Sequence, residues 1–467
     1  MASYTQGDTR LTLTQSQVTA GQSNGSLVID SQRTLPCWFN GRFLAARDLQ
    51  REQDYFLQRQ ADLGQAAGFS VIHGLGVELP AANSPGATGE TVIIRAGQGL
   101  TPAGELVLLP NDITIDLGDL PDEQNLDVQF NLSSAPNTPA RTRSGAYVLA
   151  LRPVEFTANP IASYPTSIQG TRTTHDGDII EATAISLVPY PAPISWTGGS
   201  SQDASRLRAA LARQIFLNAN PAQLSDALLP LAMIYLTRGV IVWLDPWMMR
   251  RDSGPEYSGL RLGLADPATQ KAFLRQYDSM LQETVTTLTG SGGSLSFAAS
   301  TYFDALPPCG RFTLASLGIT TTSSSSGTFT QAFFPQQINV LMSVIPTDEI
   351  QCLVDDAMAL PAIDLTLSAN AYADLTIFAL IPVPRTGFAA LKASLPALAP
   401  NPTVPQILSF RTPTQLLRLY QGAINFVQPT LNQNSAWQNA IGNQTYGFFI
   451  RARSSPAYVS FATGINS

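Results

Sequence analysis

FNGRFLAARDLQREQDYFLQRQADLGQAAGFSVIHGLGVEL, residues 39–79, decides how the rest of the chain is read. After Ala45 the stretch turns helical, from Arg47 to Leu63. Leu49, Phe56 and Leu63 recur every seven residues, which puts them on one stripe of a helix. Arg51 with Asp54, and Arg59 with Asp62, stand three apart on other faces. Gly64 and Gly68 read as the stop. Short apolar runs follow. VIHGLGVEL, TVIIRAGQGLTPAGELVLLP and DITIDL are separated by Gly, Pro and Asn, the punctuation of a β section, with a turn at Thr101–Gly104.

Working outward, LTLTQSQV (Leu11–Val18) alternates like a strand within a polar arm. YVLALRPVEF and IIEATAISLVPY are strands on either side of a Pro/Thr/Ser loop, and Asn125–Arg143 reads as a polar linker. DASRLRAALARQIFL is a helix capped by Asp203, with Leu207, Leu211 and Ile215 inward. LAMIYL and VIVWLD form a hairpin across Thr237–Gly239. Asp266 and Pro267 open a long helix with Phe273, Tyr277, Met280, Leu281, Thr284 and Leu288 at helical spacing. Thr347 caps a helix with Ile350, Leu353, Val354, Ala357 and Met358 inward. TGFAALKASL and TPTQLLRLYQGAI are further helices, and the C-terminus ends in strands. The expected class is α+β: a β-rich N-terminal domain with one long helix, then mixed α/β C-terminal domains. The divisions fall at 1–35 (arm), 36–195 (β-rich), 196–290 (helix–hairpin–helix) and 291–467 (α+β).

Composition excludes several functions. Of 467 residues 44% are apolar, enough for large cores, while only 13% are charged, about half the usual share. The net charge of −7 disfavours a nucleic-acid binder, which needs a basic face. A surface so poor in charge is expected to be covered by other subunits. Cys37, Cys309 and Cys352 are far apart and odd in number, so no disulfide framework is expected and a reducing compartment fits. MASYTQGDTR lacks the pattern of a signal peptide. Leu228–Leu244, the most apolar run, is broken by Pro230, Arg238 and Gly239 and reads as buried strands, so no membrane insertion is expected.

Chemistry-bearing clusters are sparse. His73 and His175 stand alone, and no zinc-ligand spacing is present. Asp176, Asp178 and Glu181 are a fragment of a calcium loop, and Asp116–Asp127 is an acidic loop; both read as solvated turns. No nucleophile elbow, Walker A motif or dinucleotide fingerprint is recognised. Neither a cofactor nor a metal is expected, nor is enzyme activity. Trp243 and Trp247 flank Asp245, and Arg250 and Arg251 follow. The two arginines are expected to pair with Asp245 inside the domain, a partner's carboxylate being the other choice. The stripe Leu49, Phe56, Leu63 is expected to pack within its own domain, a sister helix being the alternative.

Three blocks together resemble baseplate and tail-appendage structural proteins of phages and contractile injection systems, distantly like the type VI secretion baseplate adaptor. The first is FNGRFLAARDLQREQDYFLQRQ with GLGVEL and GQGLTPAGELV. The second is LPLAMIYLTRGVIVWLDPWMMRR, with Pro230-Leu231-Ala232, Gly239, Asp245, Trp247, Arg250 and Arg251. The third is STYFDALPPCGRFTL, with AFFP at Ala332–Pro335 after it. Phe69-Ser70-Val71 and the Ser323–Ser326 loop depart from that pattern. The resemblance implies a virion or injection-particle component, assembled in the bacterial cytoplasm. Its partners would be other tail or baseplate subunits and copies of itself, as in a trimer, with a cell-surface receptor as a further one. The arm and β domain would dock on the particle. A free-standing carbohydrate-binding or adhesion protein is the other class; it requires an aromatic-lined cleft.

Overall fold

The structure is a computed structural model. It describes residues 14–24, 26–27, 34, 36, 44–81, 89–120, 143–163, 173–190, 201–217, 224–254, 267–317, 332–372, 375–387 and 444–451. The expected linker up to residue 142, the Ser-rich loop, nearly all of the helix expected at 386–395, the whole of that at 412–424 and the strands beyond Arg451 lie outside these residues.

Helix α1, Gln15–Ser23, corrects the strand expected over Leu11–Val18. Thr14 and Gln17 form a reciprocal capping box: the Thr14 hydroxyl accepts from the Gln17 N–H, and the Gln17 side chain accepts from the Thr14 N–H at 2.8 Å. Satisfying both end donors outweighs a short alternation. Helix α2, Ala46–Ala67, runs through Gly64 and stops at Gly68, whose φ of 80° is closed to most side chains.

Six short strands follow: β1 Ser70–Gly74, β2 Val77–Glu78, β3 Thr91–Ile94, β4 Gly97–Leu100, β5 Leu106–Leu109 and β6 Ile113–Asp116. They make two small sheets, ordered β1-β4-β5 and β2-β3-β6. Strands β7 (Gly145–Ser163) and β8 (Thr173–Pro189) pair antiparallel over their whole length. They run well past the ends read from sequence, because Pro153, Pro160 and Gly177 look like loop residues but lie in a ribbon.

Helix α3 is Ser201–Leu217, so Asp203 lies inside its first turn rather than capping it. Strands β9 (Leu229–Thr237) and β10 (Val240–Asp245) form the expected hairpin, with Arg238 and Gly239 both at positive φ as a two-residue primed turn requires. They complete one sheet, β10-β9-β7-β8, that crosses the expected boundary at 195/196. Leu149, Leu151 and Leu187 on one face pack on the small sheets, while Val148, Ala150 and Val188 on the other pack on Leu207, Leu211 and Ile215 of α3. Covered on both faces, β9 is buried from Leu229 to Leu236, which explains its unbroken apolar run.

Helix α4, Pro267–Gly290, buries Phe273, Tyr277, Met280, Leu281 and Val285; Val285, not Thr284 or Leu288, continues its inner face. The C-terminal sheet has the order β12 (Cys309–Thr313), β16 (Tyr446–Arg451), β15 (Thr376–Val383), β13 (Asn339–Pro346). Strands β13 and β15 are parallel, joined through helix α5, Ile350–Ala357. A 3-10 turn, Thr347–Glu349, precedes α5, and the Thr347 hydroxyl donates to the Val383 carbonyl instead of capping the helix. Beside the sheet, β11 (Ala305–Leu306) pairs with β14 (Ile363–Asp364). Tyr277, Phe303, Phe312, Phe333, Phe334 and Phe449 pack between α4 and one face of the large sheet, and α5 covers the other with Ile350, Leu353 and Ala357. The chain is α+β.

Candidate assembly surface

Helix α2 carries its stripe on the wrong side for a domain helix. Leu49, Phe56 and Leu63 are 44%, 56% and 72% exposed, and Leu57 beside them is exposed too. The side turned toward the protein is polar: Asp48 is buried, and Glu52, Tyr55, Gln58 and Asp62 are half-buried. The expectation that the stripe packs within its own domain is therefore corrected. Charge segregates likewise. The exposed arginines Arg47, Arg51 and Arg59 stand against one exposed carboxylate, Asp54, while Asp48, Glu52 and Asp62 are turned in.

The C-terminal end of α2 is fixed by backbone contact. A Cβ at Gly64 would overlap the Gly104 carbonyl, and one at Gly104 would overlap that of Ala61. The Gln65 amide donates to the Ala103 carbonyl at 3.1 Å. The β4–β5 turn thus holds one end of α2 while the apolar stripe stays in water.

The distal ribbon of β7 and β8 is a second such element. Beyond Arg152 it has left β9 and is a two-stranded arm. Phe156 pairs across the strands with Ile180, and Thr157 with Ile179, so both faces present an isoleucine. Phe156, Ile161 and Ile179 are 51%, 61% and 66% exposed. Glu155 lies opposite Glu181, a like-charge pairing that weakens an isolated ribbon. Pro153 and Pro160 lack the N–H that a further strand would use, which blunts the edge. At its root the Thr183 hydroxyl donates to the Leu108 carbonyl at 2.9 Å. Leu106 and Leu108 of β5 are exposed there. Among the described residues, the exposed large apolar side chains outside Leu44–Ile180 are Val240, Val242 and Leu367. Among the described residues the N-terminal half therefore carries nearly all the apolar surface left uncovered, and patches of this kind mark contact sites.

The other residues singled out from sequence are internal. Asp245 is fully buried and takes Arg208, not Arg250 or Arg251: it accepts from Arg208 Nε at 2.8 Å, from Gln276 Nε2 at 3.1 Å and from the Trp247 and Met248 N–H groups at 3.1 and 2.9 Å. Arg208 also donates to Glu283 at 2.6 Å. Burial alone favours losing its proton, but Asp245 and Glu283 outweigh that and hold the guanidinium protonated more firmly than usual. Arg250 binds Asp252 at 2.6 Å and donates to the Leu75 and Gly74 carbonyls, both at 2.9 Å. Arg251 donates to Thr269 and to the Met248 and Arg250 carbonyls. Trp247 is half-buried, with the Arg250 and Arg275 guanidinium carbons 5.8 and 5.0 Å from its ring. These residues tie the first small sheet to α3 and α4. Arg208 and Gln276, which sequence reasoning missed, lie 37 and 31 positions from Asp245, with no local signal.

Catalytic chemistry finds little to build on. GQSNG, Gly21–Gly25, has the spelling of a nucleophile elbow that the sequence reading passed over. Yet Ser23 ends α1, and its hydroxyl donates to the Ala20 carbonyl instead of crowning a strand-to-helix turn. His73 is exposed on β1, and His175 meets the Thr173 hydroxyl on the arm at 2.9 Å. Among the described residues no three His, Cys, Asp or Glu side chains gather to hold a metal. No helix there is long and apolar enough to cross a membrane. A cleft of about 260 Å³ between α3, β10 and α4 is lined by Arg208, Trp243, Glu283, Thr287 and Tyr302. Its tryptophan is buried, stacked on Tyr235 at 5.8 Å, and offers no open platform to a sugar.

No protein-family model matches the chain. No curated protein matches it either. Among solved structures it is similar to the crystal structure of TssK, at 11% identity, with a TM-score of 0.23. The match covers 56% of this chain and 49% of that one, so this chain spans about half of that structure's length.

Proposed function

We propose that this chain is a structural subunit of a phage tail or phage-tail-like contractile injection particle, assembling at the baseplate or as a tail appendage through protein contacts. The observation that carries this is α2, which turns an apolar stripe to solvent and three of its four carboxylates inward. A helix in that orientation is finished by a partner. The sequence blocks that resemble such proteins support it, because two of them meet: Arg250 of the second donates to Gly74 and Leu75 of the first. The N-terminal half, with α2 and the β7–β8 arm, faces the particle. The C-terminal half, closed around its aromatic core, supports a further contact with a neighbour or a cell surface. The work done is binding, with apolar area for affinity and Arg–carboxylate contacts for register, and no chemical step.

The test is to purify intact particles from the native host and identify their chains by mass spectrometry. This chain is expected among them, together with sheath and baseplate proteins. Consistent absence from the particles would overturn the proposal.

A further inference from the structure

The β7–β8 arm has one blunted edge and one open edge. Two strands paired only to each other are marginal in water, and a third strand is the usual completion. On the β7 side, Pro153 and Pro160 withhold N–H groups, so a further strand finds a broken ladder there. On the β8 side, Thr173–Ala182 contains no proline and every residue is exposed. Strand β8 also ends the sheet order β10-β9-β7-β8. Among the described residues, the backbone of Thr173–Ala182 bonds only to β7, including the Ser163 hydroxyl on the Thr173 carbonyl at 3.1 Å. Such a row of unpaired N–H and carbonyl groups is a template for another chain.

The carboxylates decide what kind of chain fits. Alternation along the paired strands puts Asp176 and Asp178 on one face of the ribbon and Glu155 and Glu181 on the other. All four are exposed. From Pro153 to Ser163 and from Thr173 to Ala182 there is no lysine or arginine; the nine intervening residues contain one, Arg172. An added strand therefore meets acidic neighbours on both of its faces. A second β8 in that place would bring more carboxylates, and like charges across a strand pair are destabilising. A strand with lysine or arginine on both faces supplies the opposite charge, and beside Glu181 it offsets the like-charge pairing with Glu155.

We infer that an extended, basic segment of another subunit adds to the outer edge of β8 along Thr173–Ala182, an inference that rests on the assembly reading above and names the chemistry of its partner. Main-chain hydrogen bonds supply the affinity, and lysine or arginine against Asp176, Asp178 and Glu181 supplies the selectivity. The arm then becomes three-stranded, and its carboxylates set the register of the added strand.

The probe is the acetylated and amidated octapeptide Lys-Val-Val-Lys-Thr-Lys-Thr-Thr, whose lysines oppose Glu181, Asp178 and Asp176 in an antiparallel register. Two further versions carry N-methyl groups on alternate residues, in the two possible phases, and another has glutamate for lysine. Fluorescence anisotropy of the labelled peptides reads binding to the full chain at low ionic strength, and hydrogen exchange is followed over residues 173–182. The lysine peptide is expected to bind and to slow exchange there by about 5-fold or more. One N-methylated phase is expected to bind about 10-fold more weakly and the other to bind as before, because only alternate N–H groups face β8. The glutamate peptide is expected to bind about 10-fold more weakly, as is the lysine peptide on D176N/D178N/E181Q. Asparagine keeps an acceptor oxygen for the bonds that Thr157 and Asn159 donate to Asp176 and Asp178, and thermal melts check that the variant folds. Equal effects of the two N-methylated phases would mean attraction by charge without a strand ladder, and overturn the inference. So would a lysine peptide that does not bind, or exchange over 173–182 that it leaves unchanged. A chain that sediments by itself as a dimer with residues 173–182 already protected would mean that β8 of a second copy fills the edge, and overturns it too. Each leaves the particle reading standing if the chain co-purifies with particles. Conversely, the expected peptide binding by a chain never found in particles would uphold the edge contact while ending the particle reading.

Discussion

Helices α2 and α4 have 22 and 24 residues and both carry an apolar stripe, yet they face opposite ways. In α4 the stripe is the core. Phe273, Tyr277, Met280, Leu281 and Val285 are buried, and Arg275 and Gln282 are exposed on the other side. In α2 the stripe is the surface, and the inner side is Asp48, Glu52 and Tyr55. Their attachments differ too. Helix α4 is tied to α3 and β10 through Gln276, Glu283, Arg208 and Asp245, whereas α2 is held at one end by Gly64 lying against Gly104. A stripe thus reports that a face is destined for burial without saying whether its own chain or a neighbour supplies the cover.

The contrast can be broken most directly at the buried ion network. Asp245→Ala leaves the Arg208 guanidinium in the interior without its innermost carboxylate, and the expected loss is about 3–5 kcal/mol of folding stability. Urea denaturation reads it, and a loss below about 1 kcal/mol would mean that Glu283 alone suffices. Next come the stripes themselves. Leu281→Ala on α4 removes a fully buried side chain and is expected to cost about 2–5 kcal/mol. Leu63→Ala on α2 is expected to change monomer stability by no more than about 0.5 kcal/mol at protein concentrations too low for assembly. Equal losses at the two sites would erase the distinction between the helices.

The same contrast shows what the sequence carried. Both helices were legible, because periodicity depends only on neighbours in the chain. The inward residues of α3 and α5, those of α4 as far as Leu281, and the β9–β10 hairpin were legible for that reason; beyond Leu281 the inner face of α4 passes to Val285 instead of Thr284 and Leu288. The direction in which α2 faces was not, since it depends on a glycine contact 40 residues away. The partner of Asp245 was misassigned to Arg250 and Arg251 because they are near in sequence, while Arg208 reaches it from α3. The arm was read short because prolines that blunt an edge resemble those that end a strand. The boundary at 196 divided a sheet because its two hairpins lie on either side of an intervening helix.

A smaller effect is expected where α2 is attached. Gly64→Ala improves helix propensity by about 1 kcal/mol, but its methyl must displace the Gly104 backbone. The two act in opposite directions, so the global unfolding midpoint is expected to move little. The local consequence is that the end of α2 lifts from the β4–β5 turn. Hydrogen exchange reads this at the Gly104 amide, which donates to the Thr101 carbonyl at 2.9 Å. Faster exchange there, with α4 unchanged, is the expected result. Unchanged exchange at the turn would mean that Gln65 and its neighbours fix the helix without the glycine contact.

The smallest effect separates the two halves by pH. Asp364 on β14 binds Arg213 on α3 at 2.6 Å. Partial burial by itself would raise the carboxyl's pKa, but the Arg213 hydrogen bond and those from Thr366 outweigh it, and the net shift is downward from 3.8. The sign of the effect follows. Above the unfolded value the carboxylate is ionised in both states, and its native contacts contribute fully to stability. As pH falls past that value the unfolded chain takes up its proton first, so stability drops, and the contribution is gone once pH has passed below the folded value. The link ties α3 to the C-terminal half and leaves α2 out. Asp364→Asn is therefore expected to lower stability at pH 7 and to flatten its decline between about pH 5 and pH 3, measured by urea denaturation at each pH. The α2 variant Leu63→Ala is expected to keep the wild-type slope, because it removes no titrating contact. Identical slopes for the wild type and Asp364→Asn would show that the Arg213 pair contributes nothing to acid sensitivity, and the two halves would then differ in packing alone.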